Sequence, residues 1–154
     1  MDFWEVIEKR RSVREFDRVK GVSDENIKEI LYAAKRAPSA GGLYPTDFIV
    51  VRDKETKKKL TRAALNQEFI AQAPVVIVVV ADTEKSASRY GERGRNLYTV
   101  QDAAAAAGNL LLAVTALGLG ACWVGAFDEN EVKKILNLDF GKRPLTIIPV
   151  GWEK

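Results

Sequence analysis

Three guanidiniums and a hydroxyl fall within five residues at Arg10-Arg11-Ser12-Val13-Arg14. Arginine presents a planar fork of donors that meets phosphate oxygens two at a time, and each charge-assisted hydrogen bond contributes about 1.5–3 kcal/mol. The grouping suits an anion, phosphate first, and its competitor is a solvated basic turn. A second segment, Ala37-Pro38-Ser39-Ala40-Gly41-Gly42-Leu43-Tyr44-Pro45, offers small residues whose backbone can approach a flat ligand. Ser39 adds a hydroxyl there, and Pro38 and Pro45 restrict the loop. In a third, Trp123-Val124-Gly125-Ala126-Phe127, a strand ending in glycine beside a helix start exposes backbone N–H groups to an electron-rich atom.

The chain contains no histidine. That excludes Ser-His-Asp and Cys-His catalysis, His-ligated zinc and the commonest general base near neutral pH. A bound cofactor is the natural source of chemistry in such a chain. The lone cysteine, Cys122, leaves no intramolecular disulfide, and its neighbours Ala121 and Trp123 suit a small buried hydrophobe. Gly118, Gly120 and Gly125 do not make a dinucleotide fingerprint, because a helix precedes them, a strand follows, and Trp123 stands where the third glycine belongs. Gly141-Lys142-Arg143 lacks the spacing and the Ser/Thr of a phosphate-binding Walker loop. Asp128 and Glu131 read as a helix capping box, not as a carboxylate pair for acid–base work.

Formal net charge is +3 with a pI near 9.0, and Lys57-Lys58-Lys59 reads as a solvated helix face, so no nucleic-acid stripe is expected. No run approaches the ~20 apolar residues of a membrane span, and the start lacks signal-peptide order, so a cytoplasmic protein is expected. At 154 residues the chain fits one domain, residues 1–154.

The positioning elements follow from periodicity. Helical spacing predicts a first helix over 2–9, placing the arginines at its exit. Ser23 caps a second helix carrying Ile27, Ile30, Leu31 and Ala34, ended by Pro38. A strand is expected over 47–52, a charged helix over 54–65, and a short polar piece from Asn66 to Gln72. The β-branched run 75–81 suits a central strand buried on both faces. Residues 82–95 read as an exposed loop or short mobile helix able to overhang a site. An Ala-rich helix over 99–117, suited to a subunit interface, precedes a short strand over 121–124, a helix through Leu136 and a last strand over 145–150. Three helices lie before or around the first strand and no regular βαβ series appears, so the class is α+β.

The three segments in this order, with Glu15-Phe16 extending the first and Gly118-Leu119-Gly120-Ala121-Cys122 leading into the third, resemble the nitroreductase family of flavoproteins. The resemblance implies a helix-covered, mainly antiparallel sheet in an intertwined homodimer, and an FMN-dependent oxidoreductase using NADH or NADPH. Hydride would pass through flavin N5 to a nitroaromatic, quinone or similar acceptor in ping-pong fashion, with no catalytic side chain. By this similarity Arg10, Ser12 and Arg14 hold the FMN phosphate and ribityl chain, supported by Arg11. Pro38, Ser39, Ala40 and Gly41 come from the other subunit against the ring. Asn66 or Gln67 meets its pyrimidine edge, and Trp123, Val124 and Gly125 lie along the other face, with the N–H of Gly125 or Ala126 near N5. Such proteins continue past the final strand into an arm that often adds a basic residue at the phosphate, a place Lys154 would take. Gly41-Gly42-Leu43-Tyr44 replaces an Asn- and Gln-bearing loop and is closer to the azoline-oxidising branch. A flavin carrier or partner module with little turnover is the alternative of another class.

Overall fold

The computed structural model describes residues 1–154. Its organising element is β2 (Val75–Asp82), whose unbroken apolar run has both faces covered. Val75, Ile77 and Val79 join α2 (Asp24–Lys35) and α6 (Thr99–Ala116) in one core layer, through Ile30, Ala34, Ala107 and Leu110. Val76, Val78 and Val80 point the other way, into a layer with Leu60 of α3 (Lys54–Ala63) and Val132 of α7 (Glu129–Ile135). Burial of each such side chain contributes about 1.5–3 kcal/mol, so β2 fastens two helical layers to one sheet.

The sheet order is β1-β2-β4-β3, with every neighbouring pair antiparallel; β1 is Thr46–Val51, β3 Gly120–Ala121 and β4 Lys142–Gly151. Helices on both faces of this sheet make the α+β class expected from the sequence. α1 (Phe3–Lys9) begins in a capping box between Asp2 and Glu5, and Ser23 caps α2 through the Asn26 N–H. No helix is long and apolar enough to cross a membrane.

Several boundaries differ from expectation for identifiable reasons. Residues 82–95 are neither loop nor isolated helix: α5 (Thr83–Arg93) continues through a π-helical turn, Gly94–Tyr98, into α6. Asp82 caps α5 through the Lys85 N–H, and Arg95 reaches back to Glu84 at 2.9 Å and to Glu92. The glycines that suggested a loop mark a kink instead, Gly91 having φ 57° and ψ −141°. β4 starts at Lys142 because a register shift opposite Val79/Val80 accommodates Pro144 within the strand. The strand expected over 121–124 is ladder-paired only at Gly120 and Ala121, and Val124 rejoins through a single bridge to Ile147. Between them Cys122 faces Pro149, which offers a carbonyl but no N–H. The polar piece 66–72 contains a short helix, α4 (Phe69–Gln72). The capping box at Asp128 is half made: Asp128 accepts from the Glu131 N–H, but its own N–H goes to Ala63 O and the Glu131 carboxylate to Lys134.

Candidate functional site

The arginine segment is held by its apolar members. Val13 and Phe16 are buried, while Arg10, Ser12 and Arg14 face outward. Ser12 forms a parallel bridge with Ala121, and the Val13 N–H donates to Ala121 O at 2.9 Å. The close approach demands glycine opposite: a Cβ at Gly120 would fall 2.8 Å from Val13. A backbone pinned to the sheet edge therefore presents guanidiniums to solvent. Arg11 pairs with Glu153, whereas Arg10 and Arg14 have no side-chain partner.

Residues 151–154 return to this segment. The Asp17 N–H donates to Trp152 O at 2.8 Å, the Lys154 N–H to Glu15 O at 3.2 Å, and Phe16 bridges Glu153. Lys154 thereby lines, with Arg14, Arg18, Glu68 and Gln72, a cleft of about 690 Å³. Cys122 is buried nearby: burial pushes its thiol pKa up, countered by the Arg14 charge and the Ser12 hydroxyl, so the protonated thiol is favoured.

Beside the arginines runs the third segment. Val124 is buried in the core, its N–H and carbonyl both engaged with Ile147. Its side chain thus faces away from any surface ligand, while Trp123, Gly125 and Ala126 are exposed. The N–H groups of Gly125 and Ala126 donate to nothing in the chain. A Cβ at Gly125 would meet only Trp123, at 3.6 Å, so the space before this backbone is open. Gln67 steadies it, donating from one amide nitrogen to Ala64 O at 2.9 Å and Ala126 O at 3.2 Å. Asn66, left-handed at φ 56°, is exposed with its amide unengaged.

The second segment lies elsewhere. Ser39 Oγ donates to Asp102 Oδ2 at 2.8 Å and accepts from the Tyr44 N–H at 2.9 Å, and the Ala40 N–H donates to Asp102 Oδ1 at 3.2 Å. Ala40–Gly42 forms a 3₁₀ turn in which Gly41 takes φ 62°. The Ser39 hydroxyl is thus consumed within the chain, and Pro38, Ala40 and Gly41 offer chiefly backbone. Asp102, the buried carboxylate that ties this loop down, escaped sequence reasoning; its signal was a lone acid in an otherwise apolar helix. Asp102 lies in the first turn of α6 and the Ser12–Ala121 bridge just beyond its end, and the helix rises about 21 Å from Asp102 to Ala116. One chain thus assembles the arginine and Gly125 segments together and holds the Pro38–Gly41 loop apart.

Residues 7–67 and 61–152 match the family described as the Nitroreductase family. An Archaeoglobus fulgidus protein whose name pairs NADH dehydrogenase with NAD(P)H nitroreductase is 41% identical over 153 residues, 97% of this chain and 84% of its own length. Among solved structures, a nitroreductase family protein from Clostridium novyi NT superposes with TM-score 0.90 at 31% identity, over 100% of this chain and 86% of the other. An FMN-dependent nitroreductase from Clostridium difficile gives TM-score 0.84 at 31% identity, over 97% and 86%.

Proposed function

The chain belongs to the nitroreductase family, and from that premise we propose that residues 1–154 form one FMN-binding domain of a homodimeric oxidoreductase that uses NADH or NADPH. The observation that carries the reading is the pairing, at one sheet edge, of unpartnered guanidiniums at Arg10 and Arg14 with unclaimed amides at Gly125 and Ala126. That donor set suits a ligand anionic at one end and electron-rich at the other, as FMN is. When bound, FMN supplies a ring that takes hydride from the nicotinamide at N5 and yields it to an organic acceptor entering the same face, in ping-pong order.

The chain's residues then bind and orient. Arg10, Ser12 and Arg14 grip the phosphate and ribityl chain, with Lys154 adding charge from the shared cleft. Arg11 supports the segment through Glu153. The N–H of Gly125 or Ala126 stabilises negative charge on the ring, Trp123 borders it, and Asn66, the freer of the two amides, meets its polar edge. Gln67 acts indirectly, by fixing Ala126.

Pro38, Ser39, Ala40 and Gly41 reach the flavin from the partner subunit, in keeping with their separation from the arginines along α6. The surface supports a second copy as well. Phe3, Trp4 and Ile7 of α1 are 61%, 72% and 42% exposed, and Ala104, Gly108, Leu111 and Thr115 recur along one incompletely buried stripe of α6.

Purified protein should show a flavin visible spectrum, bleach on anaerobic addition of NADH or NADPH, and scatter light as a dimer. A colourless protein that takes up no FMN would sink the reading. A monomer retaining flavin would overturn the two-chain site, and slow bleaching with both nicotinamides would favour a carrier.

A further inference from the structure

Cation and ring alternate along the arm from α5 into the π-helical turn, at Arg89, Tyr90, Arg93 and Tyr98. Tyr90 and Tyr98 meet edge to face, centroids 5.1 Å apart. The Arg89 guanidinium lies 5.5 Å from the Tyr90 centroid and that of Arg93 5.4 Å from the Tyr98 centroid, with Arg93 Nε donating to Tyr98 Oη at 3.0 Å. No carboxylate pairs with either guanidinium; the neighbouring Glu84 and Glu92 are held by Arg95. The positive charge of the cluster is therefore available to a ligand.

The cluster abuts the loop assigned to the flavin ring. Arg89 Nη1 lies 3.3 Å from Gly41 O, and a Cβ at Gly41 would fall 2.3 Å from Tyr90 Oη. Across the loop, Lys35 and Arg36, also without carboxylate partners, border a cavity of about 430 Å³ walled by Tyr44 and Phe48. Its one acid, Asp102, is engaged by Ser39 and Ala40. The arm also contains a π-helical turn, a form that recurs at functional sites.

We propose that Arg89 and Arg93, with Tyr90 and Tyr98, recognise the electron acceptor, and that this acceptor is a planar aromatic bearing a carboxylate or sulfonate. The guanidiniums meet the acid oxygens and the tyrosines the ring. This inference rests on the flavin reading of the Pro38–Gly41 loop.

The test compares 4-nitrobenzoate with 4-nitrobenzyl alcohol, acceptors of similar size that differ in charge, on the FMN-loaded dimer. Wild type should show a KM for the acid lower by about tenfold or more, and R89Q/R93Q should lose that advantage. Benzoate, which cannot be reduced, should perturb the visible spectrum of the oxidised wild type at concentrations that leave the variant unchanged. R89K/R93K should keep part of the preference, and about 0.5 M salt should shrink it. Both arginines are exposed, so the variants should keep their fold, and R93Q alone, whose native guanidinium does not touch the Gly41 loop, should keep the flavin spectrum while losing part of the preference. A wild type without preference for the acid, or a variant that retains it, overturns the inference. So does a rise in KM confined to NADH or NADPH, which would assign the arginines to the donor's diphosphate. A wild type that binds no FMN overturns the flavin reading as well, whereas a normal flavin spectrum without charge preference overturns this inference alone.

Discussion

The arginine segment and the Pro38–Tyr44 loop carry the two halves of the candidate site and solve opposite problems. In the first, Val13 and Phe16 are buried and the backbone is pinned to the sheet edge at Ser12 and Val13, while the Arg10 and Arg14 side chains stay free. In the second, the polar side chain and an amide are consumed by Asp102, and only backbone and proline surface is left over. An anion that meets the first segment gains charge-assisted bonds without breaking internal ones. A flat ring that meets the second finds a shape already fixed. On the proposed reading, binding strength resides in one region and preorganisation in the other.

The largest expected effect tests the fixed half. Asp102→Ala should lower stability by about 3 kcal/mol in urea unfolding, because the Ala40 N–H and Ser39 hydroxyl lose a buried acceptor, and Asp102→Asn should recover part of it. An unchanged midpoint would erase the contrast between the regions. Next, Arg10→Ala and Arg14→Ala should each weaken FMN binding by about 1.5–3 kcal/mol in a flavin titration while leaving the unfolding midpoint in place. A falling midpoint would mean that the guanidiniums serve the fold. Gln67→Ala should cost about 1 kcal/mol of thermal stability by releasing Ala126, with a modest change in the flavin spectrum. Smallest of all, Arg11→Ala should change stability by under about 1 kcal/mol, since its pair with Glu153 is well exposed, and should affect FMN less than either neighbouring arginine. Equal losses at all three arginines would refute the division of labour among them.

What could be read in advance tracks where the determining contacts lie. The run at Val75–Ala81 announces a doubly covered strand because its own composition excludes a wet face. Ser23 announces a helix start because a cap is a bond across three residues. The anion reading of the arginines rests on residue type alone and belongs to the proposed function. The arm over 82–98 stayed illegible because Arg95 binds Glu92 one turn back and Glu84 eleven residues back across the Gly91 kink, while Gly91 and Gly94 imitate a loop. Asp102 could not be assigned because its partners lie 62 and 63 residues away. The burial of Val124 was legible in its place on a short apolar strand, but its bridge to Ile147 depends on a partner 23 residues away. The π-helical turn has no compositional signature here.

The return of residues 151–154 to Glu15–Asp17 has a consequence in time. Arg11 finds Glu153 across 142 positions, and the three backbone links beside it span comparable separations. Closing this edge brings residues 11–17 and 151–154 together, so the chain between them must be ordered first. Contacts of such range form late, after the loop between them has been ordered. The contacts that join Arg11, Glu15, Phe16 and Asp17 to residues 152–154 are therefore among the last within residues 1–154 to form as the chain folds.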